Sequence, residues 1–366
     1  MPRLSNFFFF FEPTAHDRTR TRRETERTWH ETEDGNNASL NSEGLPNSGI
    51  EYYTDPETIS ESMGSNPDGK PYMVSVSGKT LDDNIRMLEM IAAANSARGE
   101  GEIRIAAVEL NLACPNIIGK PIIAYDFDQM DEVLGRVASL PCVTDGTLPP
   151  LGVKMPPYFD GPHFERAADS LNRHKAVVKY AACINTIGNA LAIDLAAEMP
   201  VISSKGGFAG LSGPAVKYTA LANVRKMREL LDPEIDVIGA GGVRSGRDAF
   251  ELLLCGASAV QVGTCHWTEG PQCFDRIAGE LRDIMEGKGY KSLEDFRGKL
   301  REWSKEGAGV ARKAKKEREE RRRETVEVAS KMKKSTGSGD QYMMLSIVLA
   351  AVIALLMADK MGVVSL

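Results

Sequence analysis

The run Val108-Glu109-Leu110-Asn111-Leu112-Ala113-Cys114-Pro115-Asn116 sends an apolar, strand-forming stretch directly into a loop bearing two carboxamides, a thiol and a rigid proline. Asn111 and Asn116 each offer an amide donor and a carbonyl acceptor. Cys114 offers a thiol that acts as a base or a nucleophile where its surroundings favour the thiolate. Pro115 stiffens the turn that aims them. Taken alone, the stretch is equally a free cysteine in an asparagine-rich turn, because short motifs are weakly specific.

Outward from this strand, between residues 71 and 263, apolar β-branched runs alternate with amphipathic ones. That alternation is the pattern of repeated βα units on a parallel sheet. Strands are expected at 73–77, 105–112, 151–155, 181–186, 237–239 and 259–263, with helices at 81–94, 127–138, 163–174, 218–231 and 248–255. The order predicts an α/β TIM (β/α)8 barrel, whose chemistry sits at the C-terminal ends of its strands. Asn111, Lys154, Asn185, Gly241 and Gly263 all fall where a strand gives way to a loop.

Gly241-Gly242-Val243 follows one strand and precedes a helix starting near Ser245, and Gly263-Thr264 follows the next strand. The final βα loops of such barrels bind phosphate through backbone N–H groups and a helix N-terminus; tight turns are the simpler reading. Lys154 ends an apolar strand, where an ammonium is costly to bury unless an anionic group meets it, whether a ligand or a structural salt bridge. Lys205 lies in a glycine-rich loop and is read as solvent-facing, while His266 and Trp267 are read as packing residues.

The chain has 366 residues, 42% hydrophobic and 26% charged, which is enough for one large α/β domain with appendages. Its six cysteines, at 114, 142, 183, 255, 265 and 273, show no close spacing. They suggest neither a metal site nor a disulfide framework, and fit a reducing compartment. The net charge of −6 is uneven: residues 311–334 hold 11 Lys/Arg against 5 Asp/Glu, a local +6 that leaves −12 for the rest. An acidic body argues against nucleic acid, because phosphate binding rests on clustered Lys and Arg.

Four regions follow. Residues 1–40 contain the run Phe7 to Phe11, six Arg and seven acidic residues. This run is too short for a signal-peptide core and the acids speak against a transit peptide, so the segment is expected to be disordered. Residues 41–304 hold the barrel. Residues 305–341 are a charged helix or linker with no apolar stripe, broken by Thr336-Gly337-Ser338-Gly339. Residues 342–366 include 16 uncharged, mostly apolar residues at 343–358. As a helix these span about 24 Å, slightly short of a hydrocarbon core of about 30 Å, and they are expected to be a tail anchor in an intracellular membrane with the barrel in the cytosol. A buried or oligomerising helix is the other reading.

Several longer motifs resemble the dihydroorotate dehydrogenases, specifically the soluble class that passes electrons to fumarate. They are Asn41-Ser42-Glu43-Gly44-Leu45-Pro46-Asn47, the Asn111 to Asn116 run, Gly119-Lys120-Pro121-Ile122-Ile123-Ala124-Tyr125-Asp126-Phe127-Asp128, Gly152-Val153-Lys154-Met155-Pro156-Pro157-Tyr158-Phe159-Asp160, Asn185-Thr186-Ile187-Gly188-Asn189 and Gly239-Ala240-Gly241-Gly242-Val243. The likeness runs from about residue 41 to about residue 301.

The resemblance implies FMN-dependent oxidation of dihydroorotate to orotate in pyrimidine (UMP) synthesis, with fumarate reduced to succinate, by a homodimer. It implies Cys114 as the general base, with Asn41, Gly44, Leu45, Asn111, Asn116, Asn185 and Thr186 against the substrate. Asn111, Lys154, Gly213, Gly241, Gly242, Gly263 and Thr264 would hold the flavin mononucleotide. The flavin domain of dihydropyrimidine dehydrogenase is a rival that fits less well after Asn116.

Three departures stand out. Glu43 replaces a methionine and sets a carboxylate near an anionic substrate. Ala113 and Thr186 replace serines. The two barrel strands and the flavin-contacting lysine that the family places ahead of Asn41 are not found in residues 1–40. Six strands of eight are therefore expected, with a gap between the first and the last, a truncated barrel and poor flavin affinity. A catalytically impaired, membrane-tethered relative with a binding or scaffolding role is the alternative function.

Overall fold

The apolar runs form strands because their β-branched and apolar side chains alternate between two buried surfaces. The computed structural model describes residues 9–10, 29–31, 38–42, 48–64, 69–113 and 122–335. In chain order the strands are β1 Phe9–Phe10, β2 Trp29–Glu31, β3 Ser39–Asn41, β4 Tyr72–Val76, β5 Ile105–Asn111, β6 Leu151–Met155, β7 Val178–Cys183, β8 Ile187–Ala190, β9 Ile193–Asp194, β10 Met199–Pro200, β11 Ala209–Ser212, β12 Asp236–Ala240 and β13 Ala259–Gln261. The helices are α1 Ile50–Thr54, α2 Pro56–Met63, α3 Leu81–Ala97, α4 Phe127–Ala138, α5 Pro141–Thr144, α6 Gly161–Arg173, α7 Lys217–Leu230, α8 Gly246–Leu254, α9 Thr264–Glu269, α10 Gln272–Gly287 and α11 Lys305–Ser335.

All six expected strands are present. They lie parallel in the order β13-β12-β7-β6-β5-β4, with β1 added beside β13. Among the described residues β4 pairs only with β5, so the sheet stays open along that edge. Within residues 1–40, expected to be disordered, Phe9–Phe10 runs parallel to β13, Trp29–Glu31 pairs antiparallel with β3, and β3 itself begins at Ser39. The aromatic residues of the first two favour strands, a signal that the surrounding charges concealed. β7 begins and ends three residues before its expected bounds, because Ile184 leaves the strand to donate its N–H to the Ala240 carbonyl at 2.8 Å.

Local signals fix the helix starts. Thr80 and Asp83 form a reciprocal capping box at α3, while the side chains of Asp126, Asp160 and Ser245 accept backbone N–H groups at α4, α6 and α8. The apolar faces of these helices close over one side of the sheet, where Val108, Leu110, Val153, Ala181, Val237 and Val260 are buried.

The opposite, inner face carries the alternate residues: Ala107, Glu109 and Asn111 on β5, Gly152 and Lys154 on β6, Tyr180 and Ala182 on β7, Ile238 and Ala240 on β12, and Ala259 and Gln261 on β13. Ala107, Tyr180, Ala182, Ile238 and Ala259 form its apolar floor. Gly152 makes room there, since a Cβ at this position would fall 2.1 Å from the Tyr180 ring. The ring's hydroxyl donates to the Val108 carbonyl at 3.0 Å.

A four-stranded antiparallel sheet, β2-β3-β11-β8, gathers at the C-terminal end of this face around Leu40, Ile202 and Ala209. The described side chains of α11 are exposed apart from the half-buried Ala308 and Thr325, as in a charged solvated helix. Among the described residues no helix is long and apolar enough to cross a membrane. The expected anchor at 343–358 lies outside them.

Candidate functional site

The asparagine that ends β5 organises the site. Asn111 Oδ1 accepts the Ala113 N–H at 3.0 Å, turning the chain out of the strand, and also accepts from Asn185 Nδ2 at 3.4 Å. Asn185 is brought there because its N–H donates to the Met155 carbonyl at 2.8 Å, carrying the chain across the end of β6. Its own Oδ1 accepts the Thr186 N–H at 2.7 Å. Thr186 lies against Gly210, where a Cβ would come within 2.3 Å of the threonine hydroxyl, and Gly210 pairs with Asn41 between β11 and β3. Asn41, Thr186, Asn185 and Asn111 are thus joined at one end of the sheet.

Cys114, Asn116, Gly44 and Leu45 lie outside the described residues, as does Glu43. The base of the loop that carries Cys114 is nevertheless fixed. The Ala124 N–H donates to the Leu112 carbonyl at 3.1 Å, and the Tyr158 hydroxyl to the Ala124 carbonyl at 2.6 Å. The five described cysteines are all buried. Burial pushes each of their thiols up, Cys183 and Cys265 to about 12, so none of the five supplies a thiolate near neutral pH.

Lys154 is buried on the inner face, in register with Asn111 across β5 and β6. Its Nζ lies 3.5 Å from Glu109 Oε1 and hydrogen-bonds Gln261 Oε1, while Gln261 Nε2 donates to Glu109 Oε2 at 2.7 Å. The structural salt bridge considered for this lysine is therefore present. Glu109 and Gln261 escaped the sequence reading, although period-two alternation from Asn111 and Gly263 places both on the inner face.

The glycines behave differently from one another. Gly241 and Gly242 have φ of +119° and +76°, and a Cβ on Gly242 would fall 2.6 Å from Lys217 Cβ. Backbone conformation and close packing therefore require glycine at 242 whether or not a phosphate binds. Gly213, at φ +80°, opens the short turn Pro214–Val216 that leads into α7 and the same contact. Gly263 has an ordinary φ, and a Cβ there would meet nothing within 4 Å, so its edge borders open space. Thr264 Oγ1 lies 3.1 Å from Ser39 Oγ, tying this loop to the strand that bears Asn41. His266 stacks on Phe274 as a packing residue should, but Trp267 is 43% exposed and is not buried packing. Lys205 is half-buried in a short turn rather than fully in solvent.

The sequence profile of a family described as dihydroorotate dehydrogenase matches residues 15–285. The chain is 46% identical over 263 residues to the dihydroorotate dehydrogenase (fumarate) of Kluyveromyces lactis, covering 72% of this chain and 78% of that one. It is 47% identical over 262 residues to the protein of the same name from Saccharomyces cerevisiae, with the same two coverages. It is 44% identical over 263 residues to dihydroorotate dehydrogenase A (fumarate) of Lactococcus lactis, covering 72% of this chain and 79% of that one.

Proposed function

The chain belongs to the dihydroorotate dehydrogenase family, and from that premise we propose that its amide cluster holds dihydroorotate at the C-terminal end of the sheet. The activity is oxidation of (S)-dihydroorotate to orotate in pyrimidine synthesis, with fumarate as the acceptor named for the relatives. The observation that carries the reading is the Asn111–Asn185 pair, which sets two carboxamides side by side where a barrel does its chemistry. Carboxamides suit a planar substrate of carbonyls and ring nitrogens because each both donates and accepts. Asn41, Thr186, Asn116, Gly44 and Leu45 complete the contacts.

The family is flavin-dependent, and FMN is the cofactor we assign. The residues present fit its phosphate half: Gly263 borders open space, and Gly213 opens the turn whose last residue, Val216, and the following Lys217 pack against Gly241 and Gly242. Lys154 pairs directly with Asn111 across β5 and β6, and Asn111 and Lys154 are the groups we assign to the ring. When bound, the flavin supplies the hydride acceptor. Cys114 Sγ takes the proton from the adjacent ring carbon, and the amides orient the substrate for both transfers. The test is orotate formation by the purified chain at saturating added FMN. Fumarate-dependent turnover is expected, whereas a folded chain that binds FMN but forms no orotate overturns the assignment in favour of a binding or scaffolding relative.

Two further parts of the proposal concern assembly. Leu191, Ile193, Leu195 and Met199 expose apolar surface around the β9–β10 arm, which supports a homodimer and is checked by sedimentation. Residues 343–358 tether the cytosolic barrel to an intracellular membrane, a reading supported by their uncharged composition and the basic stretch before them.

A further inference from the structure

Glu109, Lys154 and Gln261 form a closed triangle beneath the amide cluster, and each is more than nine-tenths buried. The polarity of the triangle is consistent throughout. Gln261 accepts from the lysine through its oxygen and donates to the carboxylate through its nitrogen, so neither amide atom is left facing apolar surroundings.

An ammonium in such a place is stable only with a counter-charge, because a lone buried charge loses its proton before it tolerates the desolvation. Among the described residues, the other titratable groups near it are the Tyr180 phenol on the inner face and the Cys183 thiol behind β7. Burial raises both, so both are neutral at physiological pH. Among the described residues on the strands packed against Lys154, Glu109 is thus the only negative charge. Its position is fixed by the sheet: Glu109 stands two residues before Asn111 on β5, and Gln261 two residues before Gly263 on β13.

We infer that Glu109, oriented by Gln261, is a positioning residue that keeps Lys154 protonated and held at the floor of the site, under the flavin ring. This rests on the proposal that Lys154 meets the flavin. Glu109 touches neither substrate nor cofactor in this scheme; it acts through the lysine.

The test compares Glu109→Gln, Lys154→Met, the double variant and Glu109→Asp. It uses three readouts on the full chain: FMN dissociation constant by fluorescence quenching, midpoint potential of the bound flavin, and thermal unfolding of the FMN-free protein. Lys154→Met should weaken FMN about tenfold or more and lower the potential, and Glu109→Gln should match it within about threefold although its lysine is intact. Glu109→Asp should recover most of both. The double variant should be no worse than either single change and should unfold at a higher temperature than Glu109→Gln.

Wild-type affinity and potential in Glu109→Gln, while Lys154→Met loses both, would overturn the inference. If Lys154→Met leaves affinity and potential unchanged, the lysine–flavin reading falls, and with it the role of Glu109 in the site. The unfolding data still report the pairing itself: losses that simply add in the double variant overturn it. Where Glu109→Gln does not fold, recovery of folded protein by the double variant supports the pairing, and its failure to fold overturns it.

Discussion

Asn185 Nδ2 donates to Asn111 Oδ1 across 3.4 Å, joining the loop after β7 to the end of β5. Asn111 Oδ1 also receives the Ala113 N–H, so the same oxygen ties Asn185 to the start of the loop that carries Cys114. Asn185→Ala removes the donor of this pair and, with it, the substrate contact proposed for Asn185. Asn111 Oδ1 keeps the Ala113 N–H, so the loss is that of one part-buried hydrogen bond, about 0.5–1.5 kcal/mol, or roughly 2–13-fold in equilibrium terms. The expected result is a loss of kcat/KM for dihydroorotate within that range, with FMN affinity little changed, read by steady-state kinetics and flavin titration.

Cys114 follows Ala113 directly, at the mouth of a loop whose ends are closed by the Ala124 to Leu112 hydrogen bond. The buried thiols of the described residues cannot replace it as a base, since burial keeps them protonated. Cys114→Ala should lower turnover about 10²–10⁴-fold while flavin binding persists. Near-normal turnover at neutral pH would assign the proton transfer elsewhere.

The parallel sheet was legible because it is periodic: the six runs read from residues 73 to 263 are β4, β5, β6, β7, β12 and β13, and the 127–138 helix matches α4 at both ends. Asn111 and Asn185 were legible because they interrupt apolar patterns at strand ends, whereas Asn41 was legible only through the motif of residues 41–47. The antiparallel sheet was not, since β3, β8 and β11 are three or four residues each and β3 pairs with β11 across more than a hundred residues. No local signal encodes such a pairing. The triangle of Glu109, Lys154 and Gln261 fell between these cases. Each residue sat visibly on an inner-facing position, but only the fold brings three strands' side chains to one point.

Gly152 is a packing glycine, so its replacement separates fold from chemistry. A methyl group there would enter the Tyr180 ring at 2.1 Å, inside any tolerable contact. Gly152→Ala should destabilise by about 1–3 kcal/mol through overpacking, measured by denaturant titration. Adding Tyr180→Leu to the variant should return part of that loss. A stability equal to wild type for the single change would mean that Tyr180 does not occupy the inner face as described.

The acid limb of stability has an identifiable contributor in Asp131. Burial alone would raise its carboxyl, but the Ser170 hydroxyl, the Arg173 guanidinium and His174 together hold it below the usual carboxylate value. A depressed folded pKa contributes stability that is fully present above the unfolded value, about 4, and is lost as pH falls through the lower folded one. Asp131→Asn should therefore be less stable than wild type at neutral pH and show a shallower decline below about pH 4. Parallel unfolding curves for the two proteins from pH 6 to pH 2 would exclude this contribution.

The proposed membrane attachment rests on the sequence that follows α11. Residues 343–358 are 16 in a row without charge, about 24 Å as a helix, which a hydrocarbon core of about 30 Å accommodates by slight thinning and by placing Asp359 and Lys360 at the interface. The 11 Lys/Arg against 5 Asp/Glu of residues 311–334 favour a cytosolic flank and attract anionic headgroups. The full chain should stay with membranes through alkaline carbonate extraction, and a version ending before Tyr342 should be released. If both wash off equally, the segment does not span a bilayer. A concentration-dependent change in mass, lost on the same cut, would then identify it as an oligomerising helix.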